Sequence, residues 1–235
     1  MLAQVTRHLD QSRYEIGADV DYPASIGPMN PQKRIDGCSE DFSVAAGVDA
    51  LATAVRAAKY PVGLLGYSLG AIVVSRFLEA KARGEFPECD VLWAANIANP
   101  LRRCGDSLLG DPGGFGINGE HGPWPSDVRT WEVAHAADGI TCCPADSPLR
   151  ALADGVSAFS FAELGGWTSG LAERFRANRW QLTLHAWSRG PLREWRQWST
   201  AATLIDGYVR GGQHNAVYRE AGYCYRLAAV INAFE

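Results

Sequence analysis

The sequence predicts an α/β fold, in which helices flank a parallel sheet, on the strength of three observations. Short apolar runs at residues 62–65, 90–97 and 130–137 are typical of strands that are buried on both faces. Segments whose apolar residues recur three and four positions apart separate these runs, and that spacing is typical of helices. Strands that alternate with helices form parallel sheets with right-handed crossovers. We therefore expect a single parallel sheet with helices packed against it.

Helical spacing recurs along the chain, at residues 1–13, 41–58, 71–82 and 214–233. In the helix predicted at 41–58, the apolar residues form one stripe, and Pro61 follows its end. The loop predicted at 99–127 is crowded with glycine and proline, and it is too polar and too broken to be part of the core.

The stretch from residue 147 to 205 is predicted to be a mainly helical cap inserted into the α/β core, which would comprise residues 1–146 and 206–235. It has no period-two strand pattern, and its tryptophans recur at helical spacing, which more often reflects packing than ligand binding.

Composition excludes several classes of protein. The 235 residues are 47% apolar and 20% charged, which is ordinary for a globular chain with a sizeable core. The net charge of −4 argues against a nucleic-acid partner, and no apolar run is long enough for a transmembrane segment. The N-terminus lacks the apolar stretch of a signal peptide. The six cysteines are too scattered for a compact zinc site. We expect neither a metal nor another cofactor.

The strongest motif is GYSLG at residues 66–70, which has the G-x-S-x-G pattern of a nucleophile elbow. It follows the first predicted strand and opens a predicted helix, which is the context that makes the pattern specific. Side chains larger than glycine at Gly66 or Gly70 are expected to collide with neighbouring chain. The sequence therefore predicts an α/β-hydrolase fold with Ser68 as the nucleophile, and the backbone N–H of Leu69 as an oxyanion donor.

A nucleophilic serine needs a base, and in this fold the chain order is serine, acid, histidine. His214 follows a glycine-rich turn and opens the last predicted helix, so it is the preferred base. His185, in an apolar stretch, is the alternative. The other three of the five histidines fit the role less well: His8, His121 and His135.

Asp138 is the preferred acid because it follows the third predicted strand and precedes Gly139, as a residue at the end of a strand should. Asp146 lies slightly further along and is the alternative acid. Either side chain is also compatible with an ordinary turn, where aspartate is common.

A second esterase-like motif, GDSL at residues 105–108, contains Ser107. In the family that carries this signature it follows the first strand, whereas here it falls in the loop predicted at 99–127. We interpret it as a chance match.

Four segments resemble lysin B, the mycobacteriophage esterase family related to cutinases: LGYSLGAIVV (65–74), NPLR (99–102), YPAS (22–25) and HNAVY (214–218). The resemblance implies a cutinase-like fold without a cofactor, with Ser68 as nucleophile and His214 as base. It also implies hydrolysis of the ester that joins mycolic acids to arabinogalactan. The substrate would be a lipid ester or mycolyl glycan of the bacterial envelope, cleaved by a phage product during lysis of the host.

The chain departs from the lysin B pattern in three places. Leu69 replaces a glutamine, and Gly139 follows Asp138 rather than preceding it, which keeps Asp146 open as the acid. The family also opens with a strand and a His-Gly-Thr-Gly-like loop that supplies a second oxyanion donor, and no segment before residue 14 fits that strand. We therefore expect weak turnover unless another segment or a partner chain supplies a donor. The alternative function is a virion-associated or envelope-binding protein with little turnover.

Overall fold

The computed structural model describes residues 1–25, 38–150, 199–201, 203–204, 206–207 and 211–234. The helices and strands that lie wholly within these ranges follow the order α1 (Ala3–Thr6), α2 (Glu40–Ala57), β1 (Val62–Tyr67), α3 (Leu69–Ala82), β2 (Val91–Ile97), β3 (Arg129–Val133), α4 (Ala216–Glu220) and α5 (Tyr223–Ala233).

The three strands form a parallel sheet in the order β1-β2-β3. Tyr67 pairs with Ile97, and Ile97 pairs with Val133, so the carboxyl ends of all three strands lie level at one edge. In the described part of the chain, β1 is hydrogen-bonded to β2 and forms an edge of the sheet. The predicted α/β fold with a parallel sheet is confirmed.

Helices cover both faces of the sheet. On one face, α2 and α3 bury Leu51, Val55 and Phe77 against the sheet in a cluster that includes Leu64 of β1. On the other face, α1 and α5 pack against β2 and β3 in a second cluster: Val5, Trp93, Ile97, Trp131, Val133, Leu227 and Ile231. Burying each of the larger aliphatic side chains stabilises the fold by about 1.5–3 kcal/mol. The sheet is therefore the middle layer, as its apolar strands predict.

The third strand ends at Val133, four residues earlier than predicted. The chain turns there because the N–H of Asp138 donates to the carbonyl of His135 at 2.8 Å, and the N–H of Ala137 donates to the His135 ring at 3.1 Å. Asp138 thus lies in a turn beyond the sheet rather than directly at the end of a strand.

Two predicted helices are also shorter than expected. The helix predicted at 214–233 is divided into α4 and α5, because Gly222 between them has a φ of 72°, which a helix interior does not allow. His214 precedes α4 in a turn instead of lying within the helix. In the segment predicted as helix 1–13, only Ala3–Thr6 is α-helical.

The loop between β2 and β3 contributes to the core, and the expectation that it is too polar for this was wrong. Leu101 and Ile117 are buried, and Arg102 is completely buried. Its guanidinium donates to the carbonyl of Thr141 at 2.9 Å and to that of Gly113 at 2.7 Å. Because these carbonyls satisfy the buried charge, a loop without regular structure can be packed closely.

Most of the predicted cap, residues 151–198, lies outside the described residues. At its flanks, Leu149 and Ala201 are buried against Ile117 and Ile140 of the core. None of the helices in the described ranges is long and apolar enough to span a membrane.

Candidate active site

Ser68 lies at the sharp turn between β1 and α3. Its backbone has φ 53° and ψ −119°, a conformation that costs an L-residue free energy, and its N–H donates to the carbonyl of Ile97 at 3.1 Å. The strand before it and the helix after it hold the turn in this strained form. The local geometry is that of the nucleophile elbow predicted from the motif.

The two glycines of the motif have different surroundings. A Cβ atom at Gly66 would lie 2.5 Å from Oδ1 of Asn96 and 2.7 Å from Cα of Ala71, so only glycine fits there. At Gly70 the nearest atom to a Cβ would be the hydroxyl of Tyr22, at 3.8 Å, which is ordinary contact. The expected collision therefore exists at Gly66, whereas the expectation of a collision at Gly70 was wrong.

The side chains of Ser68, His214 and Asp138 form a hydrogen-bonded row. Oγ of Ser68 is 2.7 Å from Nε2 of His214, and Nδ1 of His214 is 2.9 Å from Oδ2 of Asp138. Because an ionised carboxylate only accepts hydrogen bonds, Nδ1 carries the proton and Nε2 is left to accept the proton of Ser68. The structure thus brings together the three residues that the sequence singled out, although they are up to 146 residues apart.

Tyr67, which precedes the nucleophile, holds His214 in this row. Its hydroxyl donates to the backbone carbonyl of His214 at 2.7 Å, and its ring stacks on the imidazole with centroids 5.5 Å apart. The strand residue beside Ser68 therefore fixes both the main chain and the ring of His214.

Asp138 is 1% exposed, and its carboxylate accepts two further hydrogen bonds. The N–H of Ile140 donates to Oδ1 at 3.0 Å, and the hydroxyl of Tyr218 donates to Oδ2 at 2.7 Å. Burial and the neighbouring charge of Asp138 raise the pKa of Tyr218 well above its usual value, so the hydroxyl keeps its proton. These donors stabilise the buried carboxylate.

Leu69 is the first residue of α3, and the first N–H groups of a helix are not used by hydrogen bonds within it. Its N–H lies at the positive end of the helix dipole, beside the nucleophile. This is the position of an oxyanion donor.

The remaining candidates lie elsewhere. Asp146 is exposed in a turn, and Asp138 is the carboxylate that is hydrogen-bonded to His214 Nδ1. His121 is buried and stacks on Trp124 with ring centroids 3.6 Å apart, and burial lowers its pKa. His8 is exposed near the N-terminus, His135 lies in the turn after β3, and His185 is outside the described residues.

A buried polar network lies under the elbow. Nδ2 of Asn99 donates to Oε1 of Glu132 at 2.7 Å and to Oγ of Ser75 at 3.0 Å, and Nδ2 of Asn96 also donates to Oε1. Complete burial raises the pKa of Glu132 to about 8. The same Asn96 lies against Gly66, so the network forms the floor of the elbow. Asn99 lies in one of the segments that resemble lysin B, but sequence reasoning assigned no role to any residue of this network.

The model of the PE-PPE domain family matches residues 15–155, which is more than half of the chain. The chain belongs to the PE-PPE domain family. Solved structures similar to this PE-PPE domain include an acetylxylan esterase, with a TM-score of 0.45 and 20% identity, over 68% of this chain and 86% of that one. They also include lysin B from Mycobacteriophage D29, with a TM-score of 0.43 and 20% identity, over 88% and 83%. A comparison with curated protein sequences gives no match.

The matched part of the PE-PPE domain contains Ser68 and Asp138, whereas His214 follows it. Tyr67 and Tyr218, which hold the base and the acid, were missed by sequence reasoning. A weak signal existed for Tyr218, because it lies one helical turn after His214 and large polar side chains in a core need partners. In the described residues, histidine, cysteine and acidic side chains form no group of three that could hold a metal ion.

Proposed function

We propose that this PE-PPE domain is a serine esterase that hydrolyses lipid esters. Ser68 is the nucleophile, His214 the general base and Asp138 the acid that orients it. The observation that carries the proposal is the hydrogen-bonded row from Ser68 Oγ through His214 to Asp138, placed on a strained turn at the start of a helix. A serine with an adjacent, oriented imidazole is a far better nucleophile than an ordinary hydroxyl.

In the first half of the reaction, Oγ of Ser68 attacks the ester carbonyl carbon while its proton passes to Nε2 of His214. The negative charge that develops on the carbonyl oxygen is stabilised by the N–H of Leu69 and the helix dipole. The tetrahedral intermediate then collapses as His214 protonates the departing alcohol. An acyl group remains on Ser68, and Asp138 has stabilised the imidazolium throughout.

In the second half, water replaces the alcohol. His214 takes a proton from the water, the resulting hydroxide attacks the acyl carbon, and the same N–H of Leu69 stabilises the second oxyanion. Collapse releases the carboxylic acid and returns the proton to Ser68. No cofactor is needed for either step.

For the substrate we propose the mycolyl esters of the mycobacterial envelope, with a role in phage lysis of the host. The support is the likeness of the four sequence segments to lysin B, including the elbow and the HNAVY segment that begins at His214. An alternative is an envelope-binding protein that keeps this site with little turnover.

Hydrolysis of p-nitrophenyl esters with a series of acyl chain lengths, together with labelling by a fluorophosphonate, tests the proposal. We expect wild-type protein to hydrolyse the longer esters and to be labelled, and Ser68→Ala to lose both properties. Ser107→Ala is the matched control, because Ser107 is the serine of the second motif and belongs to the loop between β2 and β3 rather than to the elbow. If folded wild-type protein is not labelled while a known esterase is, the envelope-binding alternative takes its place.

A further inference from the structure

Tyr218 contacts the acid of the site from inside the core. It lies in α4, four residues after His214, and its side chain is completely buried. Its hydroxyl is 2.7 Å from Oδ2 of Asp138, the same oxygen that accepts the hydrogen bond from His214. One carboxylate oxygen is thus shared by the base and by a neutral donor.

The donors around Asp138 fix the carboxylate in one orientation. Oδ1 accepts from the N–H of Ile140 at 3.0 Å, and Oδ2 accepts from His214 and Tyr218. A carboxylate that can rotate would lose the alignment of Oδ2 with Nδ1. The bond from Tyr218 restricts that rotation at Oδ2, while the backbone donor restricts it at Oδ1.

The hydroxyl of Tyr218 also changes the negative charge on Oδ2 of Asp138, the atom that faces His214. A neutral donor draws electron density from Oδ2, and this favours the ionised carboxylate over the protonated one. The same withdrawal makes Oδ2 a weaker partner for the imidazolium. Tyr218 can do this at every working pH, because it remains protonated.

We propose that Tyr218 is a positioning residue of the site: through its hydrogen bond to Asp138 it orients the carboxylate and sets the pH at which His214 becomes a competent base. This inference rests on the proposed function, since it assigns a role within the same row of side chains. Tyr218 acts through Asp138 and does not touch the reacting atoms.

Tyr218→Phe removes the hydroxyl and keeps the ring. We expect kcat to fall about tenfold, the size of one lost hydrogen bond to a charged group, with KM unchanged. The lower-pH side of the kcat/KM profile should move to higher pH, by about half a unit. Two effects act in this direction: Oδ2 binds the imidazolium more strongly, and a less stabilised carboxylate is protonated at higher pH.

Tyr14→Phe is the matched control. Tyr14 packs against the same core cluster, and its hydroxyl donates to the carbonyl of Ile231 at 3.1 Å, away from Asp138. The Tyr14→Phe variant loses a tyrosine hydroxyl but keeps every hydrogen bond to Asp138, so its pH profile should match that of wild type. Thermal unfolding of both variants separates loss of stability from the change in the profile.

A second measurement does not depend on turnover. Titration of the His214 ring followed by NMR should show its deprotonation at higher pH in Tyr218→Phe than in wild type or Tyr14→Phe. Replacing Tyr218 by 3-fluorotyrosine, a stronger donor, should move the titration to lower pH, and this variant preserves the packing if Tyr218→Phe does not fold.

The outcomes separate the two proposals. If wild-type protein hydrolyses no ester, the proposed function fails, and the NMR titration still decides the role of Tyr218. If wild type is active but neither replacement moves the rate profile or the titration, Tyr218 only fills space in the core and the inference is overturned.

Discussion

Ser68 lies where two regular elements meet, whereas Asp138 and His214 lie in turns outside the sheet and the helices. The serine is held by backbone: a strand before it, a helix after it, and a close contact at Gly66 that excludes any side chain. Asp138 and His214 are instead held by hydrogen bonds from side chains: Tyr218 donates to Asp138, and Tyr67 donates to the carbonyl of His214.

The turn that carries Asp138 also depends on the buried guanidinium of Arg102. The carbonyl of Asp138 accepts hydrogen bonds from the N–H groups of Thr141 and Cys142, and Arg102 in turn donates to the carbonyl of Thr141. Through Arg102, the loop after β2 therefore stabilises the turn that carries Asp138. We therefore expect the position of Asp138 to be more sensitive than that of Ser68 to substitutions of distant side chains.

The largest expected effect is the loss of kcat when Asp138 itself is replaced. Asp138→Asn should reduce kcat by about 10⁴, because an amide next to Nδ1 favours the wrong imidazole tautomer. Asp146→Asn, at the exposed alternative, should change kcat little. Steady-state hydrolysis of a p-nitrophenyl ester measures both, with circular dichroism to check the fold. The reverse ranking would move the acid to Asp146.

The second prediction removes the cation that fastens the acid turn. Arg102→Met leaves buried carbonyls at Thr141 and Gly113 without their donor, and we expect the free energy of unfolding to fall by about 3 kcal/mol or more. Arg103→Met, at the exposed neighbouring arginine, should change it by less than about 0.5 kcal/mol. Urea unfolding measures both. Equal midpoints for the two variants would contradict a clamping role for Arg102.

This contrast also explains how much the sequence could predict. The elbow obeys local rules, since an apolar run, a G-x-S-x-G turn and an amphipathic helix are contiguous, and the structure has them at β1, Ser68 and α3. The parallel sheet follows from the same alternation of strands and helices. His214 and Asp138 were chosen by combining the chain order of the fold with local context, a glycine-rich turn before His214 and a predicted strand before Asp138.

The remaining features depend on contacts that periodicity does not encode. β3 ends early because His135 makes a turn with its own backbone and ring, and no apolar pattern marks that point. Arg102 was assigned to a polar loop, because a buried arginine is recognised only by the carbonyls that surround it. The sequence marks Tyr218 only weakly, because its partner Asp138 is 80 residues away along the chain.

The third prediction compares the two glycines of the elbow. Gly66→Ala puts a methyl group about where Oδ1 of Asn96 and Cα of Ala71 already lie, so we expect a loss of about 1–3 kcal/mol in stability. Gly70→Ala has room, and in helix α3 alanine is favoured over glycine by up to about 1 kcal/mol. Thermal unfolding of the two variants checks this. Equal destabilisation would mean that Asn96 does not limit the space at Gly66.

The fourth prediction concerns Glu132 in the floor of the elbow, and its size depends on pH. Burial raises the pKa of Glu132 from 4.5 to about 8 in the folded protein, so the folded state binds this proton more tightly than the unfolded state does. The stabilisation that results is fully present below pH 4.5, and it is lost as the pH rises towards 8. The slope of the unfolding free energy against pH has an upper limit of about 1.4 kcal/mol per pH unit.

Glu132→Gln tests this prediction. The glutamine side chain stays neutral and keeps an oxygen that accepts from Asn99, so the unfolding free energy of this variant should lack the contribution of Glu132. Because all other titrating groups are common to both proteins, the difference between wild type and Glu132→Gln isolates Glu132. Curves that stay parallel from pH 5 to 8 would mean that Glu132 is ionised in the folded protein and that its buried charge has a further partner.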